Sequence, residues 1–119
     1  MKSIEKKSTD PEKLPSVEYN ELIRQFHLMW DNFPGLARLI TFEHKILASN
    51  RIAEEKGFIP GMTCAAAGSP EIHRGCRLNM MFQTGEAQTD NVLPDRIRGW
   101  IPVPGYDDVC IHFAVMIPK

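Results

Sequence analysis

The last apolar segment of the chain, residues 109–117, constrains the fold most because both of its faces are apolar. In an extended chain, successive side chains point to opposite sides. One side carries Val109, Ile111, Phe113, Val115 and Ile117, and the other carries Cys110, His112, Ala114 and Met116. A strand of this kind needs cover on both sides. The segment therefore predicts the central strand of a sheet that is covered on both faces.

Length and composition fit one globular domain. The chain has 119 residues, of which 43% are hydrophobic and 24% charged, which is enough for a modest core. Its formal net charge of −1 provides no broad basic field for nucleic acid and no polybasic anchor for a membrane. No apolar run approaches the roughly 20 residues that cross a bilayer. We expect neither nucleic acid nor membrane as a partner.

The cysteine content and the motifs argue against a secreted scaffold and against catalysis. Three cysteines, an odd number, favour reduced thiols, and there is no charged-then-apolar leader, so we expect a cytoplasmic protein. No nucleophile stands beside a plausible base, and residues 57–61 lack the pattern of a phosphate loop. We therefore predict that the protein is not an enzyme.

The first third of the chain predicts a tail and a helix. Residues 1–15 are charged and proline-containing, with little to bury, so we predict a flexible tail. Residues 16–33 predict an amphipathic helix capped by Ser16. Its apolar stripe comprises Tyr19, Leu22, Ile23, Phe26, Met29, Trp30 and Phe33. The stripe is larger than one small sheet needs, and all of these residues except Phe33 are candidates for the contact of a homodimer.

A hairpin and a short helix follow. Residues 36–42 and 45–49 are short and rich in Leu, Ile and Phe, which predicts two paired strands. Asn50 is a typical N-cap for a helix over residues 51–56, and Gly57 is a typical left-handed residue that closes it.

A longer helix and three strands complete the chain. Ser69-Pro70-Glu71 predicts the start of a helix over residues 72–83, which would carry Cys76 and end at Gly85. Residues 86–90, 97–103 and 109–117 predict strands. Pro102 cannot donate to a ladder, so its strand should be irregular there or have a partner on one side only. The simplest closure is an α+β fold with a five-stranded antiparallel sheet.

Several features occur in an order that is typical of a known module. They are the apolar hairpin, the helix led by Asn50, Gly57-Phe58-Ile59-Pro60-Gly61, the spaced cysteines, Thr84-Gly85-Glu86, Trp100-Ile101-Pro102-Val103 and the final strand. This order resembles a PAS domain, a sensory module of bacterial signalling proteins. The resemblance implies helices packed on one face of the sheet, an additional N-terminal amphipathic helix, and a sensory domain over residues 34–119.

The resemblance is to bacterial PAS variants that carry cysteines, with two departures. Cys64 follows the glycine-bearing loop, and in His73-Arg74-Gly75-Cys76 a histidine replaces the first member of a Cys-x-x-Cys pair. Thr41-Phe42 stands where PAS sequences often have an acidic residue. The last strand lacks the Asp-aliphatic-Thr ending that sensor kinases use to pass force downstream.

The resemblance also implies function. It predicts a non-enzymatic signal-transduction module that binds a small apolar or aromatic ligand, mediates protein–protein interaction, or does both, with a signalling protein as a possible partner. The candidate pocket residues are Ile52, Ile59, Met62, Leu78, Phe82 and His112. His112 could ligate haem or bond an organic ligand, or it could simply pack with a ring nitrogen bonded to the backbone. No cofactor can be assigned.

Two alternative functions stay open. Cys64, His73 and Cys76 offer soft ligands for zinc or a switchable thiol pair, which would make a metal or redox sensor. Because no fourth ligand is nearby, the sequence favours a structural interpretation, with Cys64 and Cys76 as small buried side chains and His73 at an exposed helix start. A dimerisation adaptor with a filled core is the other alternative.

Overall fold

The computed structural model describes residues 16–64, 73 and 75–118, so the predicted tail and the helix start signal at residues 69–71 lie outside it. In this part of the chain, a single sheet lies between two layers of helices. The elements are α1 Ser16–Trp30, β1 Leu36–Thr41, β2 Ile46–Ser49, α2 Arg51–Glu55, α3 Leu78–Thr84, β3 Gln88–Asp90, β4 Arg96–Val103 and β5 Tyr106–Met116.

The sheet is antiparallel throughout, with the strand order β2-β1-β5-β4-β3. β5 is therefore the central strand, as its two apolar faces predict. The ladder between β4 and β5 shifts register between Pro102 and Val103, and this irregularity confirms the prediction made from the missing N–H of Pro102.

The sheet separates two cores, which we call the inner and outer faces. The inner face packs against α2, α3 and the described part of the loop between them, through Ile40, Ile46, Ala53, Phe58, Cys64, Leu78, Met81, Trp100 and Cys110. The outer face packs against α1, through Tyr19, Leu22, Phe26, Ala37, Leu39, Leu47, Ala48 and Val109. Successive residues of β5 alternate between these cores, as expected for a fully covered strand.

α1 lies across the outer face and uses most of its apolar stripe there. Tyr19, Leu22 and Phe26 are buried against the sheet, whereas Met29 is 70% exposed. The Tyr19 hydroxyl donates a hydrogen bond to the carboxylate of Asp108 on β5. The helix ends at Trp30, three residues before the predicted end, and Phe33 lies in the turn that follows.

Asn50 joins three elements through four hydrogen bonds. Its Oδ1 accepts from the amides of Ala53 at 3.0 Å, as the N-cap of α2, and of Ala37 at 3.1 Å. Its Nδ2 donates to the carbonyls of Trp30 at 3.0 Å and Gly35 at 2.9 Å. The predicted N-cap is confirmed, and the same side chain also fixes the end of α1 to the start of β1.

The longer helix is shorter than the sequence predicts. Gly75 adopts a left-handed φ of 72°, and Arg77 at the N-cap is also outside helical geometry, so α3 begins only at Leu78. The prediction that this helix carries Cys76 is wrong, because the left-handed glycine interrupts the chain just before it. The end at left-handed Gly85 is as predicted.

Candidate functional site

A single row of side chains crosses the inner face of the sheet. Ser49 on β2 pairs with Arg38 on β1, Arg38 pairs with His112 on β5, and His112 pairs with Trp100 on β4. Residues directly opposite each other on antiparallel strands point to the same face. We call Ser49, Arg38, His112 and Trp100 the inner-face row. All four residues are buried.

His112 is held neutral at the centre of this row. Its ring stacks on Trp100, with centroids 4.6 Å apart and planes 13° from parallel, and its Nδ1 lies 2.8 Å from the carbonyl oxygen of Gly99. A carbonyl only accepts, so Nδ1 carries the proton and Nε2 is left as an acceptor. Burial, aided by the charge of Arg38, holds the pKa of His112 well below its usual range. A ring nitrogen bonded to the backbone is one of the alternatives that the sequence leaves open.

Arg38 is a buried cation with weak partners. Only 3% of the residue is exposed, its guanidinium carbon lies 4.2 Å from the centroid of the Phe58 ring, and Nη1 lies 3.6 Å from Cys64 Sγ. No carboxylate of residues 16–64, 73 or 75–118 forms an ion pair with it. Burial lowers its pKa. A buried charge without a partner lowers the free energy of unfolding by several kcal/mol. Removal of one member of a buried ion pair, for example, costs ~3–5 kcal/mol.

The row also concentrates polar atoms that lack partners. Within the described part of the chain, Arg38 Nε, Trp100 Nε1 and Ser49 Oγ are buried and make no hydrogen bond. Buried polar groups are normally satisfied, and each exception costs about 1–3 kcal/mol. The two nitrogens can only donate, and the hydroxyl can do so as well. These three atoms are therefore buried donors without an acceptor among the described residues.

Arg98, the other buried arginine of the inner face, lies on β4 and, unlike Arg38, forms an ion pair. Asp90 accepts two hydrogen bonds from Arg98, at 3.0 Å each, and one from Arg77 at 3.3 Å. Burial acts to raise the pKa of Asp90, but the hydrogen bonds and charge of Arg98, together with the bond from Arg77, hold it below its usual value. Arg98 thus has a buried counter-ion, whereas Arg38 has none in the described structure.

The structure brings together only part of the predicted pocket. Leu78 is buried in the inner core, Met62 and Phe82 pack against it, and His112 belongs to the inner-face row. Ile52 is half-buried on α2, and Ile59 lies outside the cluster with 47% of its surface exposed. Arg38 was not predicted from the sequence as a site residue. The sequence feature that could have identified it is its charge: Arg38 is the one cation in the apolar strand Leu36–Thr41, at a position that alternation assigns to a buried face.

The three residues of the metal or thiol alternative occupy different environments. Cys64 is buried, His73 is half-buried and Cys76 is exposed, and all cysteines are free thiols. No group of three His, Cys, Asp or Glu side chains is placed to hold a metal within the described ranges. Burial raises the pKa of Cys64, and it raises that of Cys110 to about 12. Both thiols are therefore protonated at neutral pH, which suppresses thiolate chemistry.

Comparison with known proteins identifies the fold. No family model matches the chain, and neither does any curated protein. One solved structure is similar, a sensory box sensor histidine kinase from Vibrio cholerae, with a TM-score of 0.55 and 11% identity. The similarity covers 85% of this chain and 96% of that chain. At this identity the similarity shows the fold, which is PAS-like, with a five-stranded antiparallel sheet and helices as the sequence predicts. No helix in the described part of the chain has the length and apolarity to span a bilayer.

Proposed function

We propose that the protein is a non-enzymatic sensory module that binds a small ligand against the inner-face row. The observation that carries this proposal is the set of three buried, unpartnered polar atoms on Arg38, Trp100 and Ser49. A fold that leaves these groups unsatisfied loses stability, and a ligand with matching acceptors would restore it. The PAS-like fold, shared with a protein described as a sensor kinase, agrees with such a role.

The surroundings of the row favour a ligand with an apolar body. Phe58, Leu78 and Met81 are buried in the same core as Trp100, and Met62 and Phe82 pack against that core. Methionine side chains are flexible and polarisable, so they adapt to ligands of different shape. Small-molecule sites typically combine such apolar walls with a few polar groups that fix orientation. The inner-face row supplies those polar groups.

A short route connects this site to α1 on the other side of the sheet. Gly99 accepts the hydrogen bond of His112 from the inner face, and the ring of Phe113 lies against Gly99 on the outer face. Phe113 in turn contacts Trp30 of α1, with ring centroids 6.3 Å apart. A ligand that moves His112 or Trp100 would therefore change the packing of α1. Such a ligand shifts the population only if it binds the two packings with different affinity.

Native mass spectrometry of the protein purified from its own host tests the ligand proposal. We expect a retained small molecule of constant mass. The two tryptophans provide a matched pair of variants, since Trp100 lies in the inner-face row and Trp30 packs on the outer face. Trp100→Phe keeps an aromatic ring but removes the Nε1 donor, so it should lower occupancy, whereas Trp30→Phe should not. A protein that carries no small molecule would overturn the proposal.

Contact with a second copy of the chain is the second candidate function. Tyr19, Leu22 and Phe26 are used within the domain, but Leu28 and Met29 on α1 are 76% and 70% exposed. Two adjacent large apolar side chains on an exposed helix face favour a protein contact. We propose that the homodimer predicted from the helix stripe uses this end of α1.

A further inference from the structure

We propose that the ligand of the inner-face row is a small monocarboxylate with an apolar body, and that its carboxylate pairs with Arg38. This inference rests on the proposed function and narrows it to one chemical class. The buried guanidinium supplies a positive charge with no acidic partner in the described structure, and the apolar core around it supplies the rest of the site.

Among the described residues, the inner face carries an excess of positive charge. Two arginines are buried there, and the carboxylate of Asp90 already neutralises Arg98. The groups that act on Arg38 are the thiols Cys64, Cys76 and Cys110, and burial keeps Cys64 and Cys110 protonated. His112 is neutral as well. Among the described residues, one uncompensated positive charge is left, which matches a singly charged ligand better than a doubly charged one.

The geometry of Arg38 suits a carboxylate. The ring of Phe58 lies against the guanidinium, and the Cys64 sulfur near Nη1 is only a weak acceptor. Nε is buried and makes no hydrogen bond within the described residues, so its N–H is available to an acceptor. Arginine binds carboxylates through parallel N–H···O bonds, and these charge-assisted bonds are about twice as strong as neutral ones.

The row also indicates the size and second contact of the ligand. Arg38 and Trp100 are separated by β5, so their strands lie about 10 Å apart, at roughly 4.8 Å per step. A molecule with one ring or a short alkyl chain spans this distance. With its carboxylate at Arg38, its far end would lie near the indole of Trp100, whose Nε1 is an unpartnered donor. An inorganic anion would leave this second donor and the apolar walls without a contact.

Two pairs of probes test the inference: benzoate against benzamide, and hexanoate against hexanamide. Each pair keeps the apolar body and changes only the charge. The chain has two tryptophans, so in a Trp30→Phe background the emission reports Trp100 alone. We expect one of the carboxylates to bind saturably and about tenfold or more tightly than its amide, as a charged hydrogen bond predicts. Sodium chloride at equal ionic strength is the control for an inorganic anion.

Variants assign the preference to Arg38. Arg38→Gln keeps hydrogen-bonding groups without the charge and should abolish the preference for the carboxylate. Arg38→Lys keeps the charge without the planar fork and should retain part of it. Arg96→Gln is the matched control, because Arg96 pairs with Asp95 at the start of β4, away from the row. Near-ultraviolet circular dichroism establishes that each variant is folded.

The outcomes separate this inference from the proposed function. Equal affinity for acid and amide, a preference that survives Arg38→Gln, or an equal response to chloride would each overturn the carboxylate assignment. The assignment would also be overturned if neither carboxylate bound at concentrations up to about 10 mM, because any interaction weaker than that contributes little free energy. A neutral molecule retained in native mass spectrometry would leave the sensory proposal standing while it excludes the carboxylate.

Discussion

The guanidinium of Arg38 lies 3.6 Å from the sulfur of Cys64, a weak acceptor, in a part of the core that provides no carboxylate among the described residues. Arg38 lies opposite His112, and its charge contributes to the lowered pKa that keeps this histidine neutral. A buried cation in such surroundings lowers the stability of the ligand-free fold. A ligand that pairs with the guanidinium would offset this cost.

Replacement of Arg38 by an apolar residue should stabilise the ligand-free protein. Arg38→Met keeps much of the side-chain volume and removes the unpaired charge, and we expect a gain of about 1–3 kcal/mol in the free energy of unfolding. Urea denaturation measures it. Arg98→Met is the matched control and should destabilise, because it leaves Asp90 buried without its main partner. A loss of stability in Arg38→Met would show that the arginine is structural.

The ion pair of Asp90 should make stability sensitive to acid. The pKa of this carboxyl is lowered in the folded state, so its contribution is present above the unfolded pKa, near 4, and is lost as the pH falls through the folded pKa. Asp90→Asn removes the charge and should cost about 3–5 kcal/mol at pH 7, since Arg98 and Arg77 lose their charged hydrogen bonds to this carboxylate. Urea denaturation at a series of pH values should show the two proteins converging below pH ~4. A difference that is independent of pH would contradict this account.

The contact between Gly99 and Phe113 should be sensitive to one methyl group. A Cβ at residue 99 would lie 2.2 Å from the Phe113 ring, so the ring must move, and with it the aromatic contact to Trp30. Gly99→Ala should therefore cost about 1–3 kcal/mol, the usual range for overpacking. Phe113→Leu in the same chain should relieve the clash, which a double-mutant cycle in thermal denaturation measures. Additive effects of the two substitutions would show that the ring does not constrain residue 99.

Asn50 should be among the most sensitive polar residues of the fold. Asn50→Ala removes four hydrogen bonds and leaves the amides of Ala37 and Ala53 without their acceptor. We expect a loss of about 2–4 kcal/mol, at ~1 kcal/mol for each bond. Asn50→Asp retains the acceptor for both amides but faces the carbonyls of Trp30 and Gly35 with a negative charge, so it should not restore full stability. Chemical denaturation of both variants is the measurement.

Local signals in the sequence predicted much of the fold. Asn50 caps its helix, Gly85 closes another, and Pro102 disturbs its strand, because each effect depends on the backbone of its immediate neighbours. The central position of β5 was predictable because both of its alternating faces are apolar and need cover. Gly75 was missed as the interruption before α3, since the start signal at residues 69–71 favours a helix and only the final backbone shows a left-handed glycine.

The candidate site was less predictable because it depends on contacts between distant segments. Arg38 stands in an apolar strand, and its sequence does not show whether a carboxylate will reach it. Arg98 looks similar in sequence, yet Asp90 neutralises it through the pairing of β3 with β4. The row that joins Ser49 to Trp100 exists only in the register of four strands. The apolar stripe of α1 was identified, but its pattern does not show how much of it the sheet covers.

Leu28 and Met29, at the exposed end of α1, should form the contact between two copies of the chain. Leu28 and Met29 stay largely exposed after Tyr19, Leu22 and Phe26 are buried against the sheet, so they are the part of the helix available to a second copy. Leu28→Gln with Met29→Gln should convert a dimer into a monomer in sedimentation equilibrium, with a change in the unfolding free energy of the monomer within about 0.5 kcal/mol, as for other surface substitutions. Ile97→Gln, an exposed apolar residue on β4, is the matched control and should leave the dimer intact. A wild-type protein that sediments as a monomer at every concentration tested would exclude this contact.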